Sequence, residues 1–220
     1  VTTAAAFTSS TLAGGAGADS ISFARTLSGS QILGGSGNDT ITLATLVEAG
    51  SLVSGDTGSD LMVFSSTVSA SSVYGGTGVD TITLKSAVNA STIDLGADAD
   101  SFSFTSTMSA STVEGGSGAD SLNFGTAAVL TSSSISGGAG TDSLVFSAVV
   151  NSGTTVAGGG GSDTISFAKS VSGAVVSADS GTDYITFTTL VTGSTMWGGG
   201  GSQTMLFTGA ADNATFSGSF

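Results

Sequence analysis

The sequence predicts an all-β fold, a parallel β-solenoid of about ten coils of 20–22 residues with two strands per coil. Three observations predict it. A Gly-Gly-x-Gly-x-Asp string recurs along the whole chain. Each copy is followed by a short stretch of alternating apolar residues. No segment carries the 3.6-residue apolar period of a helix.

The turns come first. The string reads GGAGAD at 14–19, GGSGND at 34–39, GGTGVD at 75–80, GGSGAD at 115–120, GGAGTD at 137–142 and GGGGSD at 158–163. Looser copies fill the gaps: GDTGSD at 55–60, LGADAD at 95–100, ADSGTD at 178–183 and GGGGSQ at 198–203. The closing residues are Asp19, Asp39, Asp60, Asp80, Asp100, Asp120, Asp142, Asp163 and Asp183, with Gln203 in the tenth place. Successive spacings are 20, 21, 20, 20, 20, 22, 21, 20 and 20 residues. No linker or composition shift interrupts the array, so residues 1–220 read as a single repeat domain.

The strands follow. After each Asp comes a stretch such as SISF at 20–23, TITL at 40–43 or YITF at 184–187. Period-two alternation of β-branched and aromatic residues reads as a strand whose second and fourth positions point inward. The fourth position holds eight of the twelve Phe residues, from Phe23 to Phe207, with Leu43 and Leu84 as the exceptions. A second apolar ladder lies seven residues before each Asp, from Leu12 and Ile32 to Met196 and Phe216. A third runs about twelve before it through Phe7, Leu27, Val47, Val68, Val88 and Met108, then Val171 and Val191. Small residues follow this third ladder closely (Gly29, Gly50, Ala70, Ala90, Ala110, Gly173, Gly193), as a tight second turn requires. Stacked coils repeat at ~4.8 Å, so ten make a parallel rod of roughly 50 Å. Proline is absent because nearly every N–H belongs to a ladder.

Composition narrows the function. The chain has no Cys and no His, which removes disulfides, thiolate nucleophiles, the commonest general base and nitrogen or sulfur metal sites. Three basic residues against 16 acidic ones give a net charge of −13, which excludes the basic footprint of a nucleic-acid binder. A mean hydropathy of +0.40 argues against disorder. No apolar run approaches the ~18 residues of a membrane span, so no membrane insertion is expected. Catalysis would fall to paired carboxylates, and a uniform Asp column offers no pair with distinct environments. The reading is a non-enzyme.

Stacking places the nine repeat Asp residues in one column. Asp56, Asp98 and Asp179 lie in the same turns, so 12 of the 16 acids crowd one edge. Neighbouring carboxylates at ~4.8 Å repel by about 1 kcal/mol even in water. The three bases, Arg25, Lys85 and Lys169, fall five or six residues after their Asp, beyond reach of that edge. A bound cation would compensate it. Carboxylates and turn carbonyls form an all-oxygen donor set, which suits Ca²⁺ better than Mg²⁺. The competing explanation is that Gly and Asp simply make turns; ten copies in register favour the metal.

GGAGADSIS at 14–22, GGSGNDTIT at 34–42 and GGGGSDTIS at 158–166 resemble the Gly-Gly-x-Gly-x-Asp-x-U-x nonapeptide of RTX proteins, where U is a large apolar residue. The resemblance implies a parallel β-roll with Ca²⁺ held between successive turns by Asp carboxylates and turn carbonyls. It also implies a secreted bacterial protein, located extracellularly or at the cell surface, of the toxin, protease, surface-layer or adhesin kind. The chain departs from the usual tandem arrangement, since one nonapeptide occurs per coil. Ca²⁺ is therefore expected on one edge only. The sites at Asp60, Asp100 and Asp183 lack some glycines, and the coil of Gln203 is expected to bind weakly or not at all.

The functional expectation is an extracellular structural repeat, a Ca²⁺-stabilised β-roll of a surface layer, filament or adhesin stalk. The alternatives are a binding module for ice, a glycan or a surface, and the Ca²⁺-binding accessory region of a secreted enzyme. Outward Thr pairs (Thr40 with Thr42, Thr81 with Thr83) are interrupted by Leu61, Val63, Ser101 and Ser103, so β-propensity accounts for them. Leu61, Val63, Val145 and Leu206 on one face, and Leu33, Tyr74 and Trp197 on the other, mark a lateral contact. The chain begins at Val1 without a signal peptide and reads as a processed product or an excerpt of a longer repeat protein. Val1 and Phe220 fall at nearly matching points of the repeat, so a longer array or head-to-tail self-association is expected.

Overall fold

The computed structural model describes residues 6–218. They form a parallel β-solenoid of about eleven turns with no helix among them. The Val1–Phe220 end match lies outside the described residues. Each turn contains a four-residue strand after the Asp, such as Thr81–Leu84, and a six- or seven-residue strand entering the glycine turn, such as Ser72–Thr77. Between them lies a third, shorter strand, such as Val88–Asn89. These short strands stack into an eleven-stranded sheet of their own; the other two columns belong to a twenty-stranded sheet. Across Val175–Phe187 a single strand runs through the glycine turn and joins the two columns. Sequence periodicity resolves two strands because a strand of two or three residues is too short to repeat the two-residue alternation.

Every pairing is parallel and in register from coil to coil, for example Ile82 with Met62 and with Phe102. The three apolar ladders point inward through the interior coils, while Leu12 and Phe216, at the two ends of the second ladder, are exposed. Ile32, Ile41, Leu43 and Val47 have no exposed surface, and together with Leu27 they line the core of two adjacent turns. The third ladder is continuous: Leu130 pairs with Met108, and Val150 pairs with both Leu130 and Val171. Leu130 and Val150 lie twelve and thirteen residues before Asp142 and Asp163, so both keep the ladder's offset; the extra length of the 22-residue coil is taken up before Leu130 in a turn at residues 125–128, where the Ala128 N–H bonds the Gly125 carbonyl at 3.0 Å. Lys169 Nζ donates to the Thr126 carbonyl of this turn at 3.3 Å.

Inside, Phe124, Phe146, Phe167, Phe187 and Phe207 stack face to face, with centroids 4.7–4.8 Å apart and ring planes within 11°. The strand spacing imposes that distance. Outside, Leu61, Tyr74, Trp197 and Leu206 are exposed, whereas Leu33, Val63 and Val145 are half-covered by the coils on either side.

Candidate metal-binding edge

The two turns of each coil use two kinds of side chain, and they differ in how their hydrogen bonds close. The second turn carries a residue with positive φ, among them Gly29 (55°), Ala70 (47°), Ala90 (48°) and Gly173 (62°). Just after it stands a buried hydroxyl: Ser30, Ser51, Ser71, Ser91, Ser111, Ser133, Thr154 or Ser194, with Ala174 as the interruption. Ser91 is representative. Its Oγ donates to the Asn89 carbonyl at 2.8 Å and accepts the Ser71 N–H at 3.2 Å. A hydroxyl both donates and accepts, so the serines of this column satisfy one another and stay neutral, with the Thr154 hydroxyl, among the described residues, as the one left without a partner. The column's signal in the sequence is a Ser or Thr nine residues before nine of the ten repeat-closing positions.

The glycine turn carries the Asp column, and here the hydrogen bonding does not close. All nine sequence-predicted residues stand in one file. Asp39, Asp60, Asp80, Asp100, Asp120, Asp142, Asp163 and Asp183 are no more than 2% exposed, and Asp19 is half-buried. They point into the turn instead of outward. Each Oδ1 beyond the first accepts the backbone N–H of the Asp one coil earlier: Asp60 N–H to Asp80 at 2.8 Å, Asp80 to Asp100 at 2.7 Å, Asp100 to Asp120 at 2.8 Å. Each Oδ2 from Asp19 to Asp163 is buried with no hydrogen-bond partner. An ionised carboxylate only accepts, so nothing within the column can serve these oxygens.

The residue five before each Asp, glycine in seven of the nine coils with Leu95 and Ala178 in the others, shapes the surrounding space. A Cβ on Gly34 would lie 2.5 Å from Asp39 Oδ2 and 2.6 Å from the Gly55 carbonyl oxygen of the next coil. On Gly158 it would lie 2.7 Å from both Asp163 Oδ2 and the Ala178 carbonyl oxygen. The missing side chain thus leaves room beside the same glycine for an unpartnered carboxylate oxygen and for a carbonyl oxygen of the next coil. Leu95 holds this place in the coil of Asp100 and is fully buried.

The electrostatics follow. Burial pushes the Asp80 and Asp163 carboxyls from 3.8 up to about 6, and Asp100 up to about 7. Asp60, Asp120 and Asp142 rise for the same reason. The backbone hydrogen bond to Oδ1 opposes the rise, and for Asp60, Asp80, Asp100, Asp142 and Asp163 neighbouring carboxylates add to it. Asp100 is the highest of the three and lies in the coil where Leu95 adds apolar carbon. Asp56 and Asp179 take positive-φ positions (72° and 65°) that are glycine in most coils, and Ser54 and Ser177 hydrogen-bond to them. Asp98 Oδ2 accepts the Gly78 N–H at 3.0 Å, outside the column.

Among the described residues no cavity opens and no three carboxylates converge. A cation at this edge would meet one carboxylate per coil, with backbone carbonyls completing the shell. That all-oxygen set, with one unsatisfied oxygen per coil, fits Ca²⁺.

The profile of the RTX calcium-binding nonapeptide repeat (4 copies) matches residues 30–43, the stretch that contains Gly34 and Asp39. Residues 30–43 thus match an RTX-type calcium-binding repeat. Ca²⁺ is the metal that this repeat family binds. The RTX-type array also resembles a solved structure, a hyperactive, Ca²⁺-dependent, β-helical antifreeze protein from an Antarctic bacterium. The TM-score is 0.59 at 16% identity, covering 92% of this chain and 80% of that one, a likeness of fold. No curated protein sequence matches the RTX-type array.

Proposed function

We propose that this RTX-type array is an extracellular structural element, a Ca²⁺-stabilised β-roll serving in a surface layer, filament or adhesin stalk of a bacterium. Asp19, Asp39, Asp60, Asp80, Asp120, Asp142 and Asp163 hold the metal together with turn carbonyls. Asp100, beside Leu95, and Asp183, beside Gln203, are weaker members of the same column. One observation carries the reading: a file of buried Oδ2 atoms without partners, set beside glycines whose missing side chains also leave room for carbonyl oxygens of the next coil. Bound Ca²⁺ supplies the positive charge this file lacks and ties each coil to the next. Ca²⁺ binds the native coil and not the unfolded chain, so each site adds about 2.7 kcal/mol at a hundred times its dissociation constant. The residues themselves orient the oxygens and exclude water from them.

A uniform column suits a scaffold better than catalysis, since every coil presents the same environment. The exposed Leu61, Tyr74, Trp197 and Leu206 support lateral self-association, and the in-register stacking supports head-to-tail growth. A binding module for ice or another surface draws on the antifreeze neighbour. A planar binding face requires a repeated outward side chain, and the matching column here runs Thr40, Leu61, Thr81, Ser101, Ser121. The scaffold reading therefore stands first.

The test is circular dichroism and thermal melting in saturating Ca²⁺ and in excess chelator. Chelation is expected to loosen or unfold the array. An unchanged strand signal and melting temperature would overturn the reading. Sizing at rising Ca²⁺ tests assembly, and a monomer at every concentration removes the filament.

A further inference from the structure

The coil of Gln203 differs from its neighbours in one respect. Gln203 stands in register with Asp183, at the place where the other coils carry Asp, and is 6% exposed. Its Nε2 points back at Asp183. It lies 3.4 Å from Asp183 Oδ2, 3.4 Å from the Gly181 carbonyl oxygen and 3.0 Å from the Gly200 carbonyl oxygen. These three oxygens come from two successive coils: a carboxylate and a carbonyl from one, and a carbonyl from the next. Among the described residues, Asp183 alone in the file of nine has a hydrogen-bond partner at Oδ2. The Gln203 Oε1 is buried without a partner, so the oxygen set around Nε2, not the amide oxygen, fixes how the side chain sits. An amide NH₂ has two hydrogens for three acceptors, and it sits among them as a small cation would.

We propose that Gln203 is a built-in substitute for the metal: its amide nitrogen takes the place of Ca²⁺ between the coils of Asp183 and Gln203. The Ca²⁺ column then ends one coil short of the repeat, and this interface holds without metal. The inference rests on Ca²⁺ binding by the Asp column and deepens it, because an oxygen set recognised by a hydrogen-bond donor at one coil is the set a cation meets at the others. Gln203 is a positioning residue here, acting through the Asp183 carboxylate.

Three chains test it: the unaltered protein, Gln203→Asp and Gln203→Ala. Bound Ca²⁺ is counted by equilibrium dialysis, and melting is followed in metal-stripped and Ca²⁺-saturated buffer. Gln203→Asp restores the residue of the other nine coils and is expected to bind one additional Ca²⁺ per chain. Gln203→Ala uncovers the same oxygens and is expected to melt lower in stripped buffer, with most of the loss recovered by Ca²⁺. If the unaltered chain binds Ca²⁺ but Gln203→Asp binds no more, or if Gln203→Ala is weakened equally in both buffers, Gln203 is an ordinary packing residue and the inference fails. If the unaltered chain binds no Ca²⁺, the column itself is not a metal site and both readings fall.

Discussion

The difference between Ser91 and Asp100 is the difference between the two edges of this molecule. Both side chains accept an N–H from the coil before, but the serine hydroxyl also donates and the carboxylate does not. An unsatisfied buried acceptor costs about 1–3 kcal/mol. Asp80→Asn replaces Oδ2 with a donor set beside the neighbouring carbonyl. It is expected to stabilise the metal-stripped protein by about 1–3 kcal/mol and to weaken the Ca²⁺-loaded one, so that the two melting temperatures move in opposite directions. A shift of the same sign in both buffers contradicts a metal role for Asp80. Glycine substitutions separate space from conformation. Gly159 has φ 108° and its Cβ would collide with the Gly138 carbonyl oxygen of the adjacent coil; Gly50 has φ 76° and open space around it. Alanine at Gly159 is expected to cost about 3 kcal/mol or more, and at Gly50 about 1–2, by denaturant titration.

At the scale of the element, each strand is too short to be stable alone and gains its order from the copies above and below. The Phe column shows what the stacking adds. Phe167 is 1% exposed and lies 4.8 Å from both Phe146 and Phe187, within 11° and 1° of parallel. Phe167→Ala removes a buried ring and two stacking partners, and is expected to cost about 3–5 kcal/mol. Phe23, half-buried in the first complete coil, meets Phe7 edge-on at 5.1 Å and should cost less. Equal losses at the two positions would mean that the column has no interior. In a one-dimensional array the Phe167 defect also divides the coils before it from those after it, so a broadened unfolding transition should accompany the loss.

For the whole molecule, the net charge of −13 is mostly one internal file of carboxylates. Eight Ca²⁺ between the nine Asp turns would bring the sum to −13 + 16 = +3. Without metal, protons are the other way to discharge the file. Burial raises Asp80 and Asp163 to about 6 and Asp100 to about 7, so the folded state holds their protons more tightly than the unfolded chain, where the value is near 3.8. That contribution is complete below pH 3.8 and is lost as pH rises through 6 to 7. The metal-stripped protein is therefore expected to melt higher at pH 5 than at pH 8. In saturating Ca²⁺ the order should flatten or reverse, because protons compete for the same oxygens. Melting across this range in the two buffers checks both signs, and a stripped protein that is more stable at pH 8 contradicts the buried file.

The sequence by itself determined the solenoid, its parallel register and the residues that share a column. All three follow from a repeat length held to 20–22 residues, with apolar residues at fixed offsets from Asp. It also placed the nine Asp residues on one edge and kept Arg25, Lys85 and Lys169 away from it. The third ladder runs on between Met108 and Val171 through Leu130 and Val150, which stand twelve and thirteen residues before Asp142 and Asp163 and so keep the common offset. Only the tertiary structure decided which way the carboxylates face, that Oδ1 is used by a backbone N–H, and that Oδ2 is left over. It also decided that Leu95 sits beside Asp100 and that the Gln203 amide reaches Asp183 Oδ2. A repeat fixes which residues become neighbours, but hydrogen-bond satisfaction depends on the direction of each lone pair and on whether water reaches it, and neither is written in the spacing.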